Sequence, residues 1–216
     1  MSEKFIVLDT ETTNSIDDPI CYDMGWAVVD KDGNVYQTYS FVVADVFLDR
    51  ELMESAYFKE KIPTYWEQIK SGERILARFW NIRKIFHDCV KAYNVTKVFA
   101  HNMRFDYRAT NLTQRFLTSS KFRYFFPYGI EICDTLKMAR QVLKENVNYD
   151  NFCYSNNYLT KRGQKRFTAE IIYRFLTNDL QFEESHTGLE DVMIEKEILR
   201  FCLQEFPEVE MKLWND

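Results

Sequence analysis

Two acidic side chains stand at the end of the first apolar segment of the chain. Residues 5–8 are apolar, and the sequence Asp-Thr-Glu-Thr-Thr follows at 9–13. Residues two apart on a strand point to the same face, so Asp9 and Glu11 should project together. Carboxylates held this close repel each other, and a divalent cation between them would relieve the repulsion. A metal site and a solvated strand end explain this pair equally well.

A further acidic residue follows a later strand. Residues 96–100 predict a short strand, and a helix should begin near Met103. Asn102 is suited to cap that helix, which places Asp106 in its first turns at the edge of the sheet where α/β proteins bind ligands. An acid there also stabilises the helix dipole, and this is the stronger explanation of Asp106 taken alone.

The third group combines a histidine with an aspartate. Thr187 and Glu190 have the spacing of a capping box, which predicts a helix that begins after Thr187. His186 then lies in the preceding loop, and Asp191 lies one turn inside the helix. An imidazole can exchange a proton near neutral pH, although an ordinary loop residue is the simpler explanation of His186 alone.

The elements that must position these groups alternate along the chain. Strands are predicted over residues 4–9, 24–30, 35–43, 96–100 and 130–133, with a hairpin turn at 30–34. Helices are predicted over residues 75–93 and 168–176, over 189–203, from about 103 and after 134, with a short helix within 47–58. Pro63 is expected to end or interrupt the element before it. This order predicts one α/β domain over residues 1–216 with a mixed sheet.

Composition narrows the class of protein. The chain has 216 residues, 46% of them hydrophobic, which excludes a disordered protein. Its net charge of -5 argues against coating nucleic acid by bulk charge. The 5 cysteines are widely spaced and predict neither disulfides nor a zinc site. No apolar run approaches the ~20 residues of a membrane span, so a soluble, cytoplasmic protein is expected.

In combination and order, the three acidic groups resemble the DEDDh group of DnaQ-like 3′–5′ exonucleases, which includes polymerase proofreading subunits, ribonuclease T and oligoribonuclease. The matching segments are residues 8–13, 100–106 and 186–191, with further similarity at 24–30 and 132–140. The tyrosine of the sister subtype is replaced by Thr187, so the histidine subtype fits. The resemblance implies a ribonuclease H-like mixed sheet flanked by helices.

The resemblance also implies the roles of five residues. Asp9, Glu11, Asp106 and Asp191 would hold two Mg²⁺ or Mn²⁺ ions ~4 Å apart, since hard carboxylate oxygens suit these ions. By analogy with the family, Asp9 would bridge both ions. Glu11 and Asp191 would complete the nucleophile side, and Asp106 the other. His186 would act as the general base that accepts a proton from the attacking water.

Substrate contacts are less sharply indicated. The nucleic-acid-binding candidates are Thr10, Asn102, Lys161, Arg162, Lys165 and Arg166. The last four lie within eight residues and could bind phosphates, although a solvated loop explains them equally well. Segments 44–72 and 144–167 match no family pattern and are predicted to be family-specific insertions.

These expectations combine into one predicted function. The chain would be a metal-dependent 3′–5′ exonuclease that acts on single-stranded or frayed ends, with DNA as the first choice of substrate. An exoribonuclease or oligoribonuclease with the same site is the alternative. A catalytically silent nucleic-acid-binding protein would keep the fold, but the complete set of acids argues against it. The spacing of His186 and Asp191 disfavours a two-metal endonuclease. Proofreading would need a separate DNA polymerase as partner.

Overall fold

A six-stranded mixed sheet forms the centre of the computed structural model, which describes residues 2–14 and 16–214. The strands are β1 (Lys4–Thr13), β2 (Ile20–Asp30), β3 (Val35–Val43), β4 (Ile75–Ala77), β5 (Lys97–Ala100) and β6 (Glu131–Asp134), in the spatial order β4-β3-β2-β1-β5-β6. The pairs β1–β2 and β2–β3 are antiparallel. The pairs β1–β5, β5–β6 and β3–β4 are parallel. β1 is therefore a central strand, and it ends at the sheet edge where β5 and β6 also end.

Helices cover both faces of this sheet. They are α1 (Ala44–Phe47), α2 (Arg50–Glu54), α3 (Ile62–Ser71), α4 (Phe79–Tyr93), α5 (Met103–Leu117), α6 (Thr135–Leu143), α7 (Val147–Ser155), α8 (Ala169–Thr177) and α9 (Gly188–Glu205), with a 3₁₀ turn at Lys59–Lys61. Alternate residues of β1 serve two cores because strand side chains alternate between faces. Ile6 and Leu8 pack with residues of α4 and α5. Phe5 and Val7 pack with residues of α6 and α9.

Most predicted elements are confirmed. The hairpin of β2 and β3, the strand β5 and the helices α5, α6, α8 and α9 lie within a few residues of their predicted positions. β1 runs four residues beyond its predicted end at Asp9, so both Asp9 and Glu11 belong to the strand. The five cysteines are buried, and none of them forms a disulfide with another. No helix within the described ranges is long and apolar enough to cross a membrane.

The prediction of a helix from Ile75 is wrong in its first turn. Ile75 lies on β4, and the helix begins only at Phe79. β4 is stabilised by parallel pairing with Val43 and its neighbours in β3, which no local pattern reveals. Segment 44–72 contains three helices where one was predicted. Pro63 lies in the first turn of α3, where its missing N–H costs nothing.

Candidate active site

The carboxylates of β1 open into a cleft at the sheet edge. Asp9 and Glu11 are half-buried and line this cleft, whose volume is about 1210 Å³. Thr10 points to the opposite face and is buried. Its hydroxyl donates a hydrogen bond of 2.8 Å to Oδ1 of Asp106. The predicted substrate contact Thr10 is thus placed as a hydrogen-bond partner of Asp106 beneath the cleft.

Two glycines allow the last helix to approach this strand. Gly25 lies opposite Asp9 in the β1–β2 register, and Gly188 packs directly on Gly25. A Cβ at Gly25 would clash with the backbone of Leu189, and one at Gly188 would lie 2.7 Å from the nitrogen of Gly25. Both positions therefore require glycine. The close packing of α9 on β2 brings Asp191 beside the carboxylates of β1.

Asp191 and His186 complete the arrangement. One possible ligand atom from each of Glu11, His186 and Asp191 lies within 4.8 Å of the others. Asp191 is buried, and its Oδ2 accepts a hydrogen bond of 3.0 Å from the N–H of Thr187. Thr187 occupies the predicted cap position, but its hydroxyl bonds to the carboxylate of Glu190 rather than to the helix backbone.

The loop that carries His186 is held by segment 44–72. The ring of Phe58 stacks on the imidazole of His186, with centroids 4.5 Å apart and planes 11° from parallel. Lys61 donates hydrogen bonds to the carbonyl oxygens of Ser185 and His186. The backbone of His186 is in the left-handed region, with φ 49°. No local sequence pattern indicates these contacts, because they join residues about 125 positions apart.

Asp106 and an unpredicted acid lie deeper than the cleft residues. Asp106 is in the first turn of α5, is 2% exposed and does not line the cleft. Glu195 is 3% exposed, lines the cleft and accepts a hydrogen bond of 3.1 Å from the N–H of His101. Its position four residues after Asp191 places both acids on one face of α9, and this spacing was a readable signal. Asn102 lies at the cap position with φ 71°, but its side chain makes no cap hydrogen bond.

A buried ion pair fixes the first turn of α9. Arg74 is 2% exposed, and its guanidinium donates to both carboxylate oxygens of Asp23 at 2.9 and 3.0 Å. Its other terminal nitrogen donates to Glu190 at 2.7 Å. Asp23 also accepts the N–H of Gly188 at 2.9 Å. The pair thus connects β2, the residues before β4 and the helix that carries Asp191.

The acids of the site share an unusual electrostatic state. Burial, and next the charge of Glu195, raise the pKa of Asp9 well above its usual value. Burial and then the charge of Asp23 raise the pKa of Glu11 to about 9. Burial raises the pKa of Asp106 and the pKa of Asp191 to about 7 each. These carboxylates are therefore held together without enough positive charge to balance them.

The donor set fits divalent metal ions. None of the acids Asp9, Glu11, Asp106, Asp191 and Glu195 forms an ion pair with a lysine or arginine within residues 2–14 and 16–214. Buried carboxylates are normally paired or bind metals, because an isolated buried charge is costly. Their oxygens are hard ligands of the kind that Mg²⁺ and Mn²⁺ prefer.

We expect the metal-free protein to lose stability as the pH rises. The pKa values of Asp106 and Asp191 are about 7 in the fold and ~4 in the unfolded chain. The folded state therefore binds more protons, and its stability is lost between pH ~4 and pH ~8. The melting temperature measured in chelator should fall by ~5 °C or more between pH 5 and pH 8.5. Mn²⁺ should raise the melting temperature more at pH 8.5 than at pH 5.

The control for this experiment is Asp17→Asn, which removes an exposed acid and should leave the pH dependence unchanged. Asp9→Asn should flatten it, because one of the repelling charges is gone. A melting temperature in chelator that stays level or rises from pH 5 to pH 8.5 would contradict the expected repulsion.

The predicted basic residues lie in a small hairpin loop beside the cleft. Lys165 and Arg166 line the cleft, whereas Lys161 and Arg162 are exposed and do not. The ammonium of Lys165 forms an ion pair with Asp150 and also donates to two carbonyl oxygens at the end of α6. Lys165 therefore holds the loop in place. Arg166 donates from Nε to the carbonyl oxygen of Leu159 at 3.1 Å, so its terminal nitrogens, with Lys161 and Arg162, are the groups open to phosphates.

Replacing Lys161, Arg162 and Arg166 together with glutamine should raise KM for a single strand more than it lowers kcat. Each phosphate contact contributes a slope of ~0.7 to the dependence of log affinity on log salt, so the slope should fall by up to ~2. Binding measured from 50 to 300 mM salt gives this slope. Lys165→Gln is expected to lower the melting temperature instead. An unchanged slope in the triple variant would make the loop ordinary solvated surface.

No protein-family model and no curated protein sequence matches the chain. Solved structures do. Exonuclease X in complex with 5′ overhanging duplex DNA is 16% identical, with a TM-score of 0.53, 94% of this chain covered and 93% of that one. Exonuclease I from Methylocaldum szegediense is 15% identical, with a TM-score of 0.63 and coverages of 95% and 41%.

A zinc-bound complex of E. coli exonuclease I with single-stranded DNA is 14% identical, with a TM-score of 0.57 and coverages of 96% and 42%. The chain thus spans nearly all of exonuclease X and about two-fifths of the exonuclease I chains. At such identities the likeness concerns the fold, and it confirms the predicted α/β class. The chain therefore shares the fold of exonucleases I and X, an α/β fold built on a mixed sheet, as the resemblance of its sequence motifs implied.

Proposed function

We propose that the chain is a metal-dependent 3′–5′ exonuclease acting on single-stranded or frayed nucleic acid ends, with DNA as the first substrate. The observation that carries this proposal is the convergence of Asp9, Glu11 and Asp191 with the imidazole of His186 in one cleft. An excess of buried carboxylates without cationic partners suits divalent cations, and an adjacent imidazole suits proton transfer. The fold shared with exonucleases I and X supports the same assignment.

In this proposal, different residues of the site bind the metal ions and accept the proton. Asp9, Glu11, Asp106 and Asp191 would hold Mg²⁺ or Mn²⁺, which when bound neutralise phosphate charge and make water a stronger nucleophile. His186 would accept the proton of the attacking water at its imidazole nitrogen. Burial, and next the charge of Lys61, lower the pKa of His186, so its neutral form is available at pH 7.

The substrate end must reach acids at the bottom of the cleft. Glu195 is 3% exposed and Asp191 is 4% exposed, so a phosphodiester approaching them must leave most of its water behind. A strand end can enter such a site more easily than the middle of a duplex, because duplex base pairs would first have to open. This burial favours single-stranded or frayed ends over the middle of a duplex as substrate.

A time course on 5′-labelled single-stranded DNA and RNA, with Mg²⁺ and with chelator, tests the proposal. A ladder that shortens from the 3′ end in Mg²⁺ alone is the expected result. Internal fragments would favour the endonuclease, and binding without cleavage would favour the silent protein. Preference for RNA would favour the exoribonuclease. Fidelity of primer extension by a polymerase, with and without the protein, tests the separate prediction of proofreading.

A further inference from the structure

The cleft continues past the carboxylates as a groove along α6. A second cavity of about 520 Å³ begins where the first ends, and both are lined by Asn102, Leu136, Arg140 and Lys144. Arg140 and Lys144 lie one helical turn apart, ~6 Å along the helix axis, and both are exposed. The acids therefore lie at one end of a single groove, and the far cavity lies at the other.

This groove carries cations that the fold does not balance. The two acids of the far cavity are already engaged. Asp134 accepts backbone N–H groups at the start of α5 and α6, and Glu210 pairs with Lys137 at 2.9 Å. Within the part of the chain that the structure describes, Arg104, Arg140 and Lys144 have no carboxylate partner. They are concentrated here although the whole chain has a net charge of -5.

An aromatic ring stands at the far end of the groove. Trp214 lines the second cavity and is 47% exposed. Its ring meets Tyr107 edge-on, with centroids 5.0 Å apart at 78°, and this contact supports the indole while leaving part of its surface open. A cationic groove combined with an exposed aromatic ring is the usual means of binding a single strand without sequence preference.

We propose that the groove formed by Arg104, Arg140, Lys144 and Trp214, here called the α6 groove, holds the nucleotides on the 5′ side of the scissile bond. The arginines and the lysine contact phosphates, and Trp214 stacks on a base several nucleotides from the 3′ end. This inference rests on the proposed function, because that function places the 3′ end at the acids. The rest of the nucleic acid strand must then extend from the acids along the α6 groove, whose positive charge is not balanced by carboxylates.

The test compares substrate lengths in the double variant Arg140→Gln, Lys144→Gln. A dinucleotide reaches only the acids, whereas a nine-nucleotide single strand extends along the α6 groove. The ratio of KM for the nine-nucleotide strand to KM for the dinucleotide should rise ~10-fold over that of the wild type. The salt slope for the longer strand should fall by ~1.4, since two phosphate contacts are lost.

The matched control is Lys31→Gln with Lys70→Gln, which removes two exposed lysines that do not line the groove. Its length ratio and salt slope should equal those of the wild type. An unaltered ratio and slope in the double variant of α6 would overturn the inference. If instead the wild type fails to shorten either substrate, the proposed function itself fails, and the two failures are therefore distinguishable.

Trp214 provides an independent readout. Binding of the nine-nucleotide strand to the Asp9→Asn protein, which retains the groove, should quench tryptophan fluorescence. The additional change Trp214→Leu should remove most of that quenching, and the dinucleotide should cause little in either protein. Equal quenching with and without Trp214 would overturn the assignment of this residue as a stacking surface.

Discussion

Replacing Asp9 with asparagine should lower the cleavage rate by at least ~10³-fold, equivalent to about 4 kcal/mol of transition-state stabilisation. Asp9 lies at the centre of the acids, and the charges of Glu11, Asp106, Asp191 and Glu195 all raise its pKa. An amide has the same shape but cannot replace the carboxylate as a metal ligand, so binding of divalent ions should weaken together with catalysis.

The measurements are the single-turnover cleavage rate of a 5′-labelled single strand in saturating Mn²⁺ and the melting temperature in chelator. The Asp9→Asn protein should melt at a higher temperature than the wild type in chelator at pH 8.5, because one repelling charge is absent. Asp17→Asn serves as the matched control on an exposed position. A rate within tenfold of the wild type would exclude Asp9 from the reaction.

Replacing His186 with alanine should cost ~10²–10⁴-fold in kcat, the usual effect of removing a general base. Because burial and the charge of Lys61 lower the pKa of His186, the wild-type rate should begin to fall only below pH ~6.5. The variant should lose this acidic limb, while Mn²⁺ should still raise its melting temperature. That combination separates proton transfer from metal binding.

His87→Gln is the control, because His87 lies on α4, and its ring bonds to the carbonyl oxygen of Phe125 at 2.7 Å, outside the cleft. Its pH profile should match that of the wild type. Should the His186→Ala protein keep its turnover across neutral pH, His186 would be a loop residue only. The histidine-subtype assignment would then fail, although the acids could still hold metal.

Local sequence patterns were sufficient to predict the elements whose residue spacing or flanking residues are typical of a helix or strand. The start of α5 was predicted near Met103, where the helix begins, and α9 was placed within two residues of both of its ends. α7 was not predicted, because only Tyr149 and Cys153 of its nine residues are buried and the rest of its sequence shows no apolar face. β4 has three residues, and its identity as a strand depends on a neighbour more than thirty positions earlier.

The candidate site shows the same division. Its four motif acids and His186 could be proposed from the sequence because each stands next to a recognisable strand or helix end. Phe58, Lys61 and Arg74 were missed, since their contacts with the last helix and the loop before it join residues 116 to 128 positions apart. Glu195 was missed although its spacing from Asp191 was visible, because an acid on a helix is usually solvated rather than buried.

The buried ion pair of Arg74 and Asp23 affects when the proposed active site can form during synthesis of the chain. Asp23 bonds to Gly188 across 165 residues, and α9 is the last helix of the described chain. Contacts of such long range form late in folding, and a chain is made from its N-terminus. A partly synthesised chain that ends before residue 186 can form the antiparallel strands β1, β2 and β3 but has neither His186 nor Asp191. We therefore expect ribosome-bound fragments that end before residue 186 to lack the proposed nuclease activity.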